Sequence, residues 1–306
     1  MPVIDAEGVR KTYRRRGKPP KAALDGLDLQ VERGGVHGFL GPNGSGKTTM
    51  LRCLLGLARP DAGTMTVLDR PVPRELPAVI GDIGVLLESP AFFPPFTGRL
   101  NLQLLAQAAE IPKPQVEAVL DLVQLSEAAD ERVKGYSLGM RQRLGIAAAL
   151  LKQPTVLILD EPSNGLDPAG MREVRELLRN LGDSGVTVLL SSHLLGEVQQ
   201  ICDTVTIVNR GRVITTGAVA DVLQARSTGA IGVGISDADG ALRVLQSDGF
   251  TARIEDGSII VDGVDDGAVI VRSLSTHDRY PSWLMPVQVD LEQVFLELTA
   301  DHGSPS

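Results

Sequence analysis

Short runs of nearly continuous apolar residues, each closing on polar ones, recur through the first ~225 residues. Val36-His37-Gly38-Phe39-Leu40 runs into a glycine-rich turn, and Val156-Leu157-Ile158-Leu159 ends in Asp160-Glu161. Val186 to Leu190 ends in Ser191-Ser192-His193, and Thr204 to Val208 enters an Asn209-Arg210-Gly211-Arg212 turn before another strand. Such runs predict strands covered on both faces. Polar residues gathered at their carboxyl ends mark the edge where open α/β sheets bind ligands. Lys47 to Leu57 reads as a helix, and between Ser89 and Leu151 helical periodicity replaces the strand signal.

After about Arg226 the pattern changes. Ile231–Ser236 predicts a strand and Gly240–Ser247 a helix; Phe250–Glu255 and Ser258–Val261 form a hairpin over Asp256-Gly257. Asp266–Ser275 predicts a helix and Trp283–Val289 a strand. That order, β-α-β-β-α-β, is the split arrangement of a small ferredoxin-like α+β domain. A last helix, Leu291–Leu298, puts Leu291, Val294, Phe295 and Leu298 on one face, and the tail from Asp301 to Ser306 is expected to be disordered.

Composition narrows the class of protein. A formal charge of −8 argues against a general nucleic-acid binder, which is usually basic. The basic cluster Arg14-Arg15-Arg16 with Lys18 and Lys21 reads first as a solvated turn between two strands, with a binding site as the alternative. No apolar run reaches the ~18 residues that span a bilayer, and the first residues lack the basic start and apolar core of a signal peptide. Cys53 and Cys202 sit in apolar settings, as small core residues do. A cytosolic protein is expected.

Gly41-Pro42-Asn43-Gly44-Ser45-Gly46-Lys47-Thr48 matches the phosphate-loop pattern G-x-x-x-x-G-K-[ST] at every fixed position, with Thr49 directly after it. Glycines allow successive N–H groups to curl around phosphates, Lys47 reaches the terminal phosphates, and the Thr48 hydroxyl ligates Mg²⁺. The loop alone leaves kinases, GTPases and many ATPases open. Asp160, after four apolar residues, is the carboxylate expected to hold Mg²⁺, and Glu161 is placed to activate or orient water.

Tyr136-Ser137-Leu138-Gly139-Met140-Arg141-Gln142-Arg143 resembles the signature sequence of ABC ATPases. Asp160-Glu161-Pro162 with Ser163 to Asp167 is similar to their Walker B strand and D-loop, and His193 to their switch histidine. The resemblance spans roughly residues 3 to 225. It implies a P-loop NTPase fold, α/β, with a RecA-like parallel sheet, an antiparallel β subdomain and a helical subdomain at about 89–151. The ATP-binding domain is then 1–225 and the accessory C-terminal domain 226–306. The resemblance also implies two ATP-binding domains closing head to tail on two ATPs and Mg²⁺. Ser137, Gly139 and Met140 would meet the nucleotide of the partner copy, with Asp167 in the D-loop, His193 would sense its own γ-phosphate, and Tyr13 would stack on adenine. A lone tyrosine near a strand is otherwise usually core.

Most ABC ATPases have glutamine where this chain has Glu88, within Leu86-Leu87-Glu88-Ser89-Pro90. Glu88 is a candidate catalytic and Mg²⁺ residue, because a carboxylate ligates the ion but adds repulsion near the γ-phosphate. The substitution is similar to that in bacitracin- and lantibiotic-type exporters, and a neutral exchange is the alternative. Phe92, Phe93 and Phe96 crowd the loop that, in ABC transporters, docks the membrane subunit; packing of the helical insertion is the plainer account. The C-terminal end, Val289 to Thr299, resembles daunorubicin-resistance-type ATPase subunits. The expected protein is therefore the ATPase subunit of a drug-type ABC exporter, a homodimer on the cytoplasmic face of the cell membrane. It would serve a separate membrane permease, with no nucleic acid as partner. A soluble ABC ATPase acting on ribosomes or DNA is the alternative; such chains usually carry two ATPase domains or a long coiled coil, and this one has neither.

Overall fold

The structure, a computed structural model of the chain, describes residues 2–14, 17, 19–87, 91–225, 229–264, 266–287 and 290–300. Two compact units part between Val219 and Ala220, a little before the change of character read after Arg226. The expectations for Glu88 and for the tail from Asp301 fall outside the described residues.

The first unit is built on a six-stranded sheet of β3 (Val36–Leu40), β6 (Ile83–Leu86), β7 (Val156–Asp160), β8 (Thr187–Ser192), β9 (Thr204–Asn209) and β10 (Arg212–Ala218). Its order is β10-β9-β3-β8-β7-β6, parallel except for β10 against β9. Every residue of β3, β7 and β8 is buried, as their continuous apolar runs require. Helices α1 (Lys47–Leu54) and α6 (Pro168–Asp183) belong to the crossovers between parallel strands. Helix α6 buries Val174, Leu177, Leu178 and Leu181, the i, i+3, i+4, i+7 stripe that faces a core. Its start combines an Asp167 N-cap with Pro168 at the first position, where the missing N–H costs nothing. Helix α1 is shorter than the sequence predicts: the chain leaves it after Leu54, and Gly56 adopts φ +67°, the left-handed conformation common just beyond helix ends.

A second, antiparallel sheet has the order β2-β1-β4-β5, from β1 (Ile4–Tyr13), β2 (Lys21–Val31), β4 (Ala62–Val67) and β5 (Arg70–Pro71). Its buried Ile4, Leu27 and Leu29 join Phe39, Met50 and Leu51 in one core. The segment expected to be helical carries α3 (Gly98–Ala108), α4 (Lys113–Leu122) and α5 (Leu138–Leu150). Short helices α2 (Leu76–Val79) and α7 (Leu195–Val198) complete the unit, and α8 (Val219–Gln224) straddles the boundary. Within β3, His37 is buried with its ring nitrogens 2.7 Å from the Thr204 hydroxyl and 3.0 Å from that of Thr206.

The second unit runs β11 (Ile231–Gly234), α9 (Ala238–Ser247), β12 (Thr251–Glu255), β13 (Ser258–Asp262), α10 (Gly267–Ser275), β14 (Trp283–Pro286) and α11 (Leu291–Ala300). Its sheet, β12-β13-β11-β14, is antiparallel throughout, which is the split βαβ topology. Asp256 and Gly257 both take positive φ, as a tight two-residue hairpin turn demands. Val233, Ile259, Val261, Leu245, Ile270 and Leu274 form its own core. Strand β14 ends at Pro286, sooner than expected; proline removes a ladder donor, and Gln288 and Val289 lie outside the described residues.

Candidate functional site

The phosphate loop leaves the end of β3 and enters α1 at Lys47. Two of its glycines are demanded by space as well as by conformation. A Cβ on Gly41 would lie 2.1 Å from the Val208 carbonyl oxygen, and one on Gly46, at φ +115°, would lie 2.6 Å from that of Ala23. The loop is pinned by Ser45 N–H donating to Pro42 O at 3.1 Å and Gly41 N–H donating to Ser192 O at 3.3 Å. Gly211, in the β9–β10 turn, donates its N–H to Ser45 O at 2.8 Å and accepts from Asp25 N–H at 2.9 Å. Arg212 holds Asp25 at 2.6 Å, and that guanidinium keeps the Asp25 carboxyl below the usual carboxylate range. The Ser45 hydroxyl is buried with no hydrogen-bond partner among the described residues, an orphan polar atom inside a cradle of backbone donors.

Lys47 is buried, with Nζ donating to Gly41 O at 2.6 Å and lying 3.4 Å from Glu161 Oε1. Glu161 Oε2 lies 2.6 Å from His193 Nδ1. Lysine, glutamate and histidine from three separate segments thus form one chain of charge-assisted contacts. Glu161 takes φ +51°, a left-handed conformation that costs a non-glycine residue ~1–3 kcal/mol and is found disproportionately at functional sites. Asp160, at the end of β7, is buried and accepts a hydrogen bond from the Ser191 hydroxyl.

Above the loop opens a cleft of about 880 Å³ lined by Tyr13, Asn43, Gly44, Gly46, Lys47, Thr48, Thr49, Glu161 and His193, together with Pro19, Pro20, Lys21, Ala23 and Asn164. Tyr13 is no core residue: its side chain is 39% exposed, and Lys11 Nζ lies 5.7 Å from its ring centroid. Lys21 pairs opposite Tyr13 in the β1–β2 ladder, and its Nζ would lie 3.8 Å from a Cβ on Gly44. The reading of Lys21 as part of a solvated turn is therefore corrected, since it overhangs the phosphate loop. That ladder register was the missing signal. Asn164 comes into the cleft because its N–H donates to Glu161 O at 3.1 Å, closing the turn that follows the carboxylate.

Four predicted residues sit at the starts of α5 and α6. Ser137 caps α5, accepting from Met140 N–H at 3.1 Å, and is exposed. A Cβ on Gly139 would meet nothing closer than 3.8 Å, so the helix N-terminus there is open. Asp167 caps α6, accepting from Gly170 N–H at 2.9 Å. None of Ser137, Gly139, Met140 and Asp167 lines the cleft. The donors near the loop fit a hard cation: the Thr48 hydroxyl and the Asp160 carboxylate are both oxygen ligands of the kind Mg²⁺ takes.

The ABC transporter family matches residues 24–164. An uncharacterized ABC transporter ATP-binding protein of Bacillus subtilis (strain 168), YdbJ, is 35% identical over 98% of this chain and 96% of its own length. The daunorubicin resistance ATP-binding protein DrrA3 of Streptomyces coeruleorubidus is 38% identical over 98% and 96%, and the bacitracin transport ATP-binding protein BcrA of Enterococcus faecalis 33% over 98% and 97%. Among solved structures, cbiO1 of Clostridium perfringens, part of the transporter complex cbiONQ, superposes with a TM-score of 0.65 at 27% identity, covering 73% of this chain and 91% of its own. The cassette MJ0796, solved as a dimer in a post-hydrolysis state with ADP and Pi, shares the fold at TM-score 0.63 and 24% identity, over 71% of this chain and 98% of its own. With nearly full-length relatives above the 30% level and the phosphate loop, Glu161 and His193 gathered in one cleft, this chain belongs to the ATP-binding proteins of ABC transporters, ATPases of the P-loop class.

Proposed function

We propose that this chain is the nucleotide-binding subunit of an exporter, working as a head-to-tail homodimer on the cytoplasmic face of the membrane and driving efflux of drug-like or antibiotic molecules through a separate permease. One observation carries the reading: the cleft gathers Tyr13, Lys47, Thr48, Glu161 and His193, while the signature helix opens its N-terminus elsewhere. A second copy supplying Ser137 and Gly139 completes each site. The names of DrrA3 and BcrA support the drug-type cargo.

In this reading Tyr13 stacks on adenine, the backbone of Gly41 to Gly46 cradles the phosphates, and Lys47 and Thr49 hold them from below. Thr48 and Asp160 hold Mg²⁺, which when bound neutralises charge on the terminal phosphates. Glu161 accepts the proton of the attacking water, and His193 keeps that carboxylate aimed while contacting the γ-phosphate. The N-terminus of α5, capped by Ser137, presents a positive dipole end to the partner copy's γ-phosphate. Phe93 and Phe96, exposed at 61% and 39% with ring centroids 5.5 Å apart, offer the permease an aromatic anchor. Buried Asn101 shapes that loop, accepting from Phe93 N–H at 2.8 Å and donating to Phe93 O at 3.2 Å.

The test is a pull-down of tagged Glu161→Gln protein from detergent-solubilised membranes with ATP. Loss of the base slows hydrolysis by roughly 100- to 10,000-fold, so the closed dimer persists, and a multi-span membrane protein is expected to co-purify. Recovery of ribosomal proteins or DNA without a membrane protein would overturn the exporter reading.

A further inference from the structure

Ser191 belongs to none of the motifs that define the site, yet it touches two of the residues assigned the chemistry. It lies opposite Asp160 in the parallel β7–β8 ladder and is fully buried. Its hydroxyl donates to Asp160 Oδ1. The same oxygen accepts from Glu161 N–H at 3.2 Å, while the Ser191 carbonyl accepts from that N–H at 3.1 Å. One side chain therefore sets the rotamer of the first carboxylate and shares in anchoring the backbone of the second, at the residue whose φ is +51°.

The setting makes a purely space-filling role inadequate. Ser191 follows Val188, Leu189 and Leu190, all buried, in a strand where an apolar residue would serve packing as well. A hydroxyl buried there is tolerated because both its donor and its acceptor capacity are used. Partners that orient metal-binding carboxylates from behind typically matter 10- to 100-fold in metal affinity or activity.

We propose that Ser191 is a positioning residue for Mg²⁺: it holds the Asp160 carboxylate in the orientation that receives the ion and, through the Glu161 N–H, keeps the metal ligand and the base in fixed relation. The proposal rests on the nucleotide reading above. The experiment follows binding of a fluorescent ATP analogue to the full-length protein, first with excess chelator and then across a Mg²⁺ titration, for the unmodified chain, Ser191→Ala, Asp160→Asn and the double variant. Ser191→Ala is expected to bind nucleotide in chelator like the unmodified chain and to need roughly 10- to 100-fold more Mg²⁺ for half-maximal tightening. Adding Ser191→Ala to Asp160→Asn is expected to change nothing further, because the hydroxyl acts through that carboxylate.

A Mg²⁺ midpoint unchanged in Ser191→Ala would overturn the proposal. So would equal weakening with and without Mg²⁺, which is how a general loss of packing reads. Should Ser191→Ala not fold, Ser191→Thr keeps the hydroxyl and Ser191→Cys weakens it, and a Mg²⁺ midpoint identical in those two overturns the assignment. An unmodified chain that binds no nucleotide in either condition would refute the underlying nucleotide reading and this assignment with it.

Discussion

In the proposed reading, replacing Tyr13 by alanine should separate base binding from phosphate binding in the cleft. Tyr13 closes β1, its ring partly open to the cleft, with Lys11 over the aromatic face at 5.7 Å. Stacking of a base on an aromatic side chain contributes ~1–3 kcal/mol. The Lys11 contact, about 0.5–1 kcal/mol at an exposed site, exists before and after binding and cancels from the comparison. At 1.4 kcal/mol per factor of ten, Tyr13→Ala should weaken ATP by roughly 5- to 150-fold. The assay is calorimetric titration in the Glu161→Gln background, so that ligand is not consumed, with inorganic tripolyphosphate as the second ligand. Tripolyphosphate affinity should not change, since Lys47 and the loop backbone are untouched, and Tyr13→Phe should behave like the parent. Equal weakening of ATP and tripolyphosphate would refute the stacking argument. It would mean that Tyr13 supports the loop instead of the base.

Two further predictions address the surface and the core. Changing Phe93 and Phe96 together to alanine should leave ATP affinity intact and abolish co-purification with the permease; normal co-purification of the double variant would show that the exposed rings are not the anchor. His37, by contrast, is a stability element: burial pushes its imidazole down to about 4 from an ordinary 6.5. The folded state therefore favours the neutral ring. Its contribution is complete above pH 6.5 and is lost as pH falls towards 4, on the order of 3 kcal/mol for a gap of this size. Denaturation midpoints measured from pH 7.5 to 4.5 should fall less steeply for His37→Gln than for the parent, and parallel curves would sink the assignment.

The parallel strands and the phosphate loop were legible because burial on two faces and close approach to phosphate leave few residue choices. Val156–Asp160 and Val36–Leu40 carry that constraint in consecutive letters. The split order of the second unit was equally readable, since its hairpin turn needs positive φ at Asp256-Gly257. What escaped depends on which strands lie side by side. Ser191 meets Asp160 only because β8 sits next to β7, and Lys21 reaches the loop only because the ladder sets it against Tyr13. Strand β4 was hidden for another reason: Ala62, Gly63 and Thr64 are exposed, so no apolar alternation announces them. Gly63 is still needed there, because a Cβ would lie 2.6 Å from the Val9 Cα.

The Gly211 turn has a consequence for ligand choice. Its peptide groups face two ways, one hydrogen bond to Ser45 in the phosphate loop and one to Asp25 on the strand that pairs with Tyr13's. Two separate sheets are thereby clamped into a caliper, with the tyrosine as one jaw and the loop as the other. If Tyr13 stacks on the base as proposed, the gap between the jaws is set before any ligand arrives and gauges the length from base to terminal phosphate. A change at this turn would alter which ligand length fits while leaving every residue that meets the ligand untouched.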